Sequence, residues 1–228
     1  DAVIDVLRKH GVEPDLPPQR CSGTPIETYG HRDLAKEGAR ENLRHFAGYE
    51  TVVTGCASCT LMLKDYPALF AGEPEQSAAE AMARRVRHIS EFVAQSSVRP
   101  STAPACSGLR KVTYHSSCHL RAAGVTKEPR AMLKTLPGVQ FVEMSDADRC
   151  AGGAGTYLVK DFDTSQRIVA RKRQAVMESG AELVATSCPA CMIQLKTGLP
   201  PTVQVKHVAQ ILQDSYAAAD RQAGESPQ

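Results

Sequence analysis

YETVVTGCASCTLML, residues 49–63, and AELVATSCPACMIQL, residues 181–195, follow one pattern. Each begins with a short run rich in β-branched residues, passes through Cys-x-x-Cys and continues as an apolar stretch. The first part predicts a strand, since β-branched side chains favour a pleated, buried surface. The last part predicts a helix, so each cysteine pair sits where a strand hands over to a helix. In mainly parallel sheets ligands collect at that end of the strands.

The likeness extends outward. GVEPDLPPQRCSGTP, from Gly11, matches GVQFVEMSDADRCAGGAG, from Gly138: a Gly-Val turn, an extended stretch, then Arg-Cys-small-Gly. Cys21 answers Cys150, Cys56 answers Cys188 and Cys59 answers Cys191, with separations of 129 and 132 residues for the first two pairs. A period this long means a duplicated domain and not a solenoid. We divide the chain into a first cysteine-rich repeat, 1–100, and a second, 110–228, joined by the Ser/Pro/Ala-rich linker SSVRPSTAPACSGL at 96–109. The first residue is Asp, and the reading expects part of the first repeat to lie upstream of it.

Periodicity places the remaining elements. Helices are expected over 2–10, 31–47, 57–70 (broken near Pro67), 130–136 and 163–179. A longer one is expected over 77–95, with Met82, Val86, Ile89 and Val93 as its core stripe. Strands are expected over 51–54, 111–115, 140–142 and 182–186. Strands alternating with helices imply βαβ units, hence an α/β fold of two tandem repeats, each with a mainly parallel sheet.

Composition excludes several classes. The 228 residues carry 27 Lys and Arg against 25 Asp and Glu, too even a balance for a dedicated nucleic-acid binder. Tryptophan is absent, which removes the best base-stacking side chain. No apolar run approaches the length of a membrane span, and no secretory signal is recognised. In such a chain Cys-x-x-Cys pairs more often bind metal or do redox chemistry than form structural disulfides.

The second half carries four cysteines at loop positions: Cys118 in YHSSCHL, Cys150 in DRCAGG, and Cys188 with Cys191 in SCPAC. Four thiolates at one point repel unless a cation offsets them, and both zinc and an iron–sulfur cluster take four. The flanks favour the cluster. Gly152, Gly153 and Gly155 free the backbone for close approach and for N–H donation to sulfur. Pro189 suits the first turn of a helix whose N-terminal dipole favours an anion. Zinc remains the alternative, although its structural ligands usually come as two close pairs, and disulfides are a further one. The first half supplies three candidate ligands, Cys21, Cys56 and Cys59. Cys106, in the linker, is expected to be a thiol without a role.

This arrangement resembles the cysteine-rich CCG domain found in heterodisulfide reductase. It also resembles the iron–sulfur subunits of glycolate oxidase, anaerobic glycerol-3-phosphate dehydrogenase and the lactate utilisation proteins. Their repeat has a leading cysteine, then Cys-Cys-Gly, then Cys-x-x-Cys. Cys118, Cys150 with Gly152, and Cys188 with Cys191 match it, as do Cys21 with Gly23 and Cys56 with Cys59. The resemblance implies a cytoplasmic iron–sulfur electron-transfer subunit, peripheral on the inner face of the cell membrane and not membrane-spanning. It would carry one [4Fe–4S] cluster or two. Its partners would be a flavoprotein 2-hydroxyacid (lactate- or glycolate-type) dehydrogenase subunit, other iron–sulfur subunits, and a quinone or membrane subunit, with no nucleic acid.

The chain departs from that pattern at two positions. Cys-Cys-Gly is Cys-Ser-Gly at Ser22 and Cys-Ala-Gly at Ala151. In the heterodisulfide reductase branch both adjacent cysteines help hold a noncubane four-iron cluster. Their absence leans towards electron relay and away from the alternative, a catalytic heterodisulfide or thiol reductase. Other side chains receive plainer readings. His115 and His119, which bracket Cys118, are read as hydrogen-bonding or packing groups, and His207 as structural at a helix start. Arg167, Arg171, Lys172 and Arg173 are read as the exposed face of a helix.

Overall fold

The computed structural model describes residues 1–104, 108–155 and 157–224; Cys106 lies outside them. The first half runs α1 (Ala2–Lys9), α2 (Thr24–Thr28), α3 (Arg32–His45), β1 (Val52–Thr54), α4 (Ala57–Leu69), α5 (Gln76–Ala83), β2 (Val86–His88) and α6 (Ile89–Gln95). The second half opens with β3 (Arg110–His115), α7 (Cys118–Ala122), α8 (Glu128–Thr135), β4 (Val139–Phe141) and α9 (Tyr157–Lys160). It continues with α10 (Phe162–Ser179), β5 (Leu183–Thr186), α11 (Pro189–Gly198), β6 (Gln204–His207) and α12 (Val208–Gly224).

Every strand pairing is parallel, as the alternation of strands and helices predicts. β1 pairs with β2, and a four-stranded sheet has the order β4-β3-β5-β6. β5 shows why this sheet is covered on both faces. Leu183 and Ala185 enter a core with Val112, Tyr114, Leu133, Ile211 and Leu212. Val184, on the opposite face, packs with Val176, Leu195 and Val205. Successive strand residues point to opposite sides, so an apolar run is what a doubly covered strand requires. Val6, Leu7 and Ile89, from the first half, join the Tyr114 core of the second. The first half keeps its own cluster around Tyr66, Phe70, Met82 and Val86.

Two expectations need correction, and one strand was not expected. The segment 77–95 is not one helix: α5 stops at Ala83, and Val86–His88 form β2 before α6 begins. Val86 and His88 are buried while Arg87 is half-exposed, a period of two, and Val86 pairs with Val52. The stripe read at helical spacing is core, but it is divided among a helix, a strand and a second helix. Pro67 does not break α4, which runs on to Leu69; Pro67 falls in its last turn, so the bond its missing N–H forgoes has little helix left to interrupt. β6 went unread because Gln204–His207 alternates polar and apolar residues over only four positions.

The candidate cysteine sites

The two Cys-x-x-Cys motifs are built alike. β1 ends at Thr54, and Cys56 caps α4 in extended backbone, φ −123° and ψ 121°. β5 ends at Thr186, and Cys188 caps α11 at φ −134° and ψ 115°. Each cap carbonyl accepts the first helical hydrogen bond, from Thr60 N at 2.8 Å and from Met192 N at 2.9 Å. A sulfur placed there meets the unpaired N–H groups of the first turn and the positive end of the helix.

That placement favours thiolate. The Cys56 thiol is lowered to about 6, chiefly because Cys59 donates a hydrogen bond to it, with the N–H groups of Cys59 and Ser58 adding to the effect against burial. Cys188 is lowered to about 7 for the same reasons, led by the hydrogen bond from Cys191. The proton is kept on the second cysteine of each pair, so Cys59 and Cys191 are pushed up by their partners and by burial. Each motif is thus a thiolate held by a neighbouring thiol.

The other cysteines gather around these pairs. Cys118 opens α7 three residues after β3 ends, and Cys150 lies in the loop before α9; both are exposed and both act electrostatically on Cys191. The amide of Gly152 donates to Cys150 Sγ at 3.2 Å. In the first half Cys21 acts on Cys59 in the same way. Cys21, Cys56 and Cys59 line a cleft of about 510 Å³ with Ser22, Asn42 and Tyr49. All seven described cysteines are free thiols. Among the described residues no three His, Cys, Asp or Glu side chains form a ready site for a single metal ion.

Ser22 and Ala151, which stand at the second-cysteine positions, are 7% and 1% exposed. Ala151 packs with Met144, Ala147 and Ala175. The glycine-rich loop is pressed against helices. A Cβ on Gly152 would come within 2.8 Å of the Ser165 carbonyl, and one on Gly153 within 2.7 Å of Gln194 Cβ. Gly155 lies beside the Tyr29 hydroxyl, 3.1 Å from where its Cβ would be.

The two sites back onto each other. Ala57 N donates to the Ser187 carbonyl at 3.1 Å, joining the two motif loops directly. Ser58 Oγ bonds His119 Nδ1 at 2.7 Å, and Cys56 acts electrostatically on Cys188. His119 therefore ties α7 to the opposite repeat. His115 is 1% exposed, and its Nδ1 has no hydrogen-bond partner. Burial lowers it to about 3, with Lys172 and Arg121 adding to the effect, so it is neutral. His207 does mark a helix start: its Nδ1 accepts from Ala209 N at 3.1 Å.

Lys172 contradicts its reading as surface. Arg167, Arg171 and Arg173 are exposed, but Lys172 is 2% exposed, and its ammonium donates to the Asp146 carbonyl beside Cys150. A charge run on a helix suggests solvation, yet one of its members faces inward here. The available signal was the repeat itself, because α3 also buries a polar residue, Asn42, at the matching turn.

A family model described as CCG, cysteine-rich domain, matches residues 1–64 and 112–196. Lactate utilization protein A of Lysinibacillus sphaericus is 32% identical, over 92% of this chain and 94% of its own length. Lactate utilization protein A of Bacillus subtilis is 31% identical, over 92% and 90%. A fumarate reductase (CoM/CoB) subunit of Methanothermobacter marburgensis is 32% identical over 95% of this chain, which spans only 43% of that protein.

Proposed function

The chain belongs to the CCG cysteine-rich domain family, and from that premise we propose that it is an iron–sulfur electron-transfer subunit of an oxidoreductase complex. Cys118, Cys150, Cys188 and Cys191 would hold a [4Fe–4S] cluster. Cys21, Cys56 and Cys59 would supply three ligands to a second site. Such a cluster, when bound, supplies one-electron exchange. The observation that carries this reading is the gathering of four thiols on strand-end loops, with Cys188 and Cys191 at the N-terminus of α11. The donor set fits the group. It is all sulfur, Cys188 is lowered to about 7, and a backbone amide aims at Cys150.

The chain's own residues do three things in this scheme. The cap positions hold Cys56 and Cys188 as thiolates. The Gly152 amide, aimed at Cys150 Sγ, steadies charge on sulfur. The Ala57–Ser187 and Ser58–His119 bonds fix the two sites side by side, the proximity that electron passage between them requires. In this reading the donor is a flavoprotein 2-hydroxyacid dehydrogenase and the acceptor a quinone or membrane subunit, in the cytoplasm; the likeness to a protein named for lactate utilization supports the lactate-linked part of it. Among the described residues no helix is long and apolar enough to cross a membrane.

A second reading is catalytic reduction of a disulfide at the three-cysteine site. It is favoured by the cleft of about 510 Å³ there and by the relative named for fumarate reductase (CoM/CoB). Ser22 and Ala151, in place of second cysteines, weigh against it. Anaerobic reconstitution separates the possibilities. Brown protein with equimolar iron and acid-labile sulfide, inactive alone towards disulfides yet able to restore flavoprotein-to-dye transfer, supports relay. Stoichiometric zinc without sulfide removes both cluster readings.

A further inference from the structure

Lys172 and Asn42 occupy the same place in the two repeats. Shifted by 130 residues, Ala35, Ala39 and Asn42 of α3 fall on Ser165, Val169 and Lys172 of α10, and all six are buried. Each helix backs the loop that carries its repeat's Cys-x-Gly. Asn42 Oδ1 accepts from Arg20 N at 2.8 Å, and its Nδ2 donates to the Arg20 carbonyl at 3.2 Å, just before Cys21. Lys172 Nζ donates to the Asp146 carbonyl, four residues before Cys150 in the same loop. The task is shared, but the charge is not. The first site has a neutral amide where the second has an ammonium.

Nothing nearby neutralises that ammonium fully. The two carboxylates of the loop are exposed and already engaged, Asp146 by Arg149 at 3.4 Å and Asp148 by Arg121 at 3.3 Å. Among the described residues no carboxylate lies within ion-pair distance of Lys172. Burial lowers Lys172 to about 8, with Asp146, Asp148 and Cys150 opposing the drop. A buried cation without a close counter-ion is strongly disfavoured. The group beside it able to carry compensating negative charge is the cysteine site, since Lys172 and Cys150 line one cleft.

We propose that Lys172 is the buried counter-charge of the second cysteine site and makes it the more readily reduced of the two, so that electrons run from the Cys21 site towards the Cys118 site. The proposal rests on the cluster reading above. In the step itself one electron would leave a cluster held at the first site and enter one held at the second, with no bond formed or broken. The added negative charge is stabilised by a fixed positive charge in a medium of low polarisability. Asn42 offers the first site no such stabilisation. Lys172 is thus a positioning residue that also sets potential, acting through the loop and through space without ligating iron.

The test is an EPR-monitored redox titration of the anaerobically reconstituted full chain. In the unsubstituted protein the signal lost with Cys150→Ser should have a higher midpoint than the one lost with Cys21→Ser; equal or reversed midpoints overturn the proposal. Lys172→Gln keeps a donor for the Asp146 carbonyl but removes the charge. It should retain iron and sulfide while its midpoint falls by at least tenfold in the reduction equilibrium, about 59 mV for one electron. Lys172→Arg should keep the original midpoint. A fully loaded Lys172→Gln protein with unchanged midpoint overturns the proposal while leaving the cluster reading intact. Zinc without sulfide in the unsubstituted protein removes the cluster reading, and this proposal with it.

Discussion

His88 and His207 face each other where the two sheets meet, their ring centroids 6.3 Å apart. Each ends an edge strand, pairs in register with the threonine before a cysteine loop (Thr54 and Thr186) and begins the following helix. The capping is the same at both. Nδ1 of each ring accepts an amide two residues on, and the backbone N–H of each donates to a side chain three residues on, Glu91 or Gln210. Neither Nε2 has a hydrogen-bond partner.

Acid should therefore unfold the protein through these rings. Burial lowers His88 to about 3, with the neighbouring His207 and Lys64 adding to it. The folded state thus holds His88 neutral while an unfolded chain protonates it near 6.5. The resulting stability is complete above about pH 6.5 and is lost progressively as pH falls towards 3, by on the order of a few kcal/mol. His88→Asn keeps an N-cap acceptor without a titrating ring. Urea midpoints measured from pH 7 to pH 4 should fall less steeply in this variant than in the parent.

Serine in place of Cys118, Cys150, Cys188 or Cys191 should in each case remove the second site's share of the iron and sulfide bound after anaerobic reconstitution and leave the Cys21 site's share in place. Cys21→Ser should leave the share bound by the second site in place. Iron and sulfide unchanged in any of the first four variants would remove that residue from the ligand set.

In metal-free, reduced protein Cys56 should be the fastest of the Cys-x-x-Cys thiols to alkylate. It is half-exposed and lowered to about 6, whereas Cys188, lowered to about 7, is buried. At pH 7.5 mass spectrometry should find Cys56 carbamidomethylated several-fold faster than free cysteine, a thiol of pKa about 8.5. Its rate should plateau above pH 7, where that of free cysteine still climbs.

Gly152→Ala should destabilise the fold by about 2 to 4 kcal/mol. Its φ of +87° is unfavourable for a side chain, and the added Cβ would lie 2.8 Å from a backbone carbonyl that cannot move without displacing α10. Gly124→Ala has a similar φ, +83°, but open space around it, and should cost only the conformational part. The difference between their urea midpoints measures the close approach.

The strands that lead into the cysteine pairs were legible because no charge interrupts them: Leu183–Thr186 is buried throughout, and Val52–Thr54 is buried or half-buried. β2 and β6 were not, since Arg87 and Lys206 interrupt them and their identity comes from pairing with β1 and β5. The order of the cysteines in each repeat could be read directly. The contact between the sites could not, because it depends on Ala57 and Ser187, 130 residues apart. Lys172 was hidden for a related reason. Its exposed neighbours share its charge, and only the matching turn of α3 singles it out.

α1 packs on α12, and between Lys9 and Val208 lie about 200 residues of chain. At the roughly 5 to 20 residues added each second during synthesis, α1 waits on the order of ten to forty seconds for the surface it covers. Until then Val6 and Leu7 are exposed, and the shared core that seats the two motif loops is unfinished. The order of synthesis therefore leaves the Cys56 loop waiting on chain made after it, and the two motif loops meet only once the Ser187 carbonyl that Ala57 N bonds has been made.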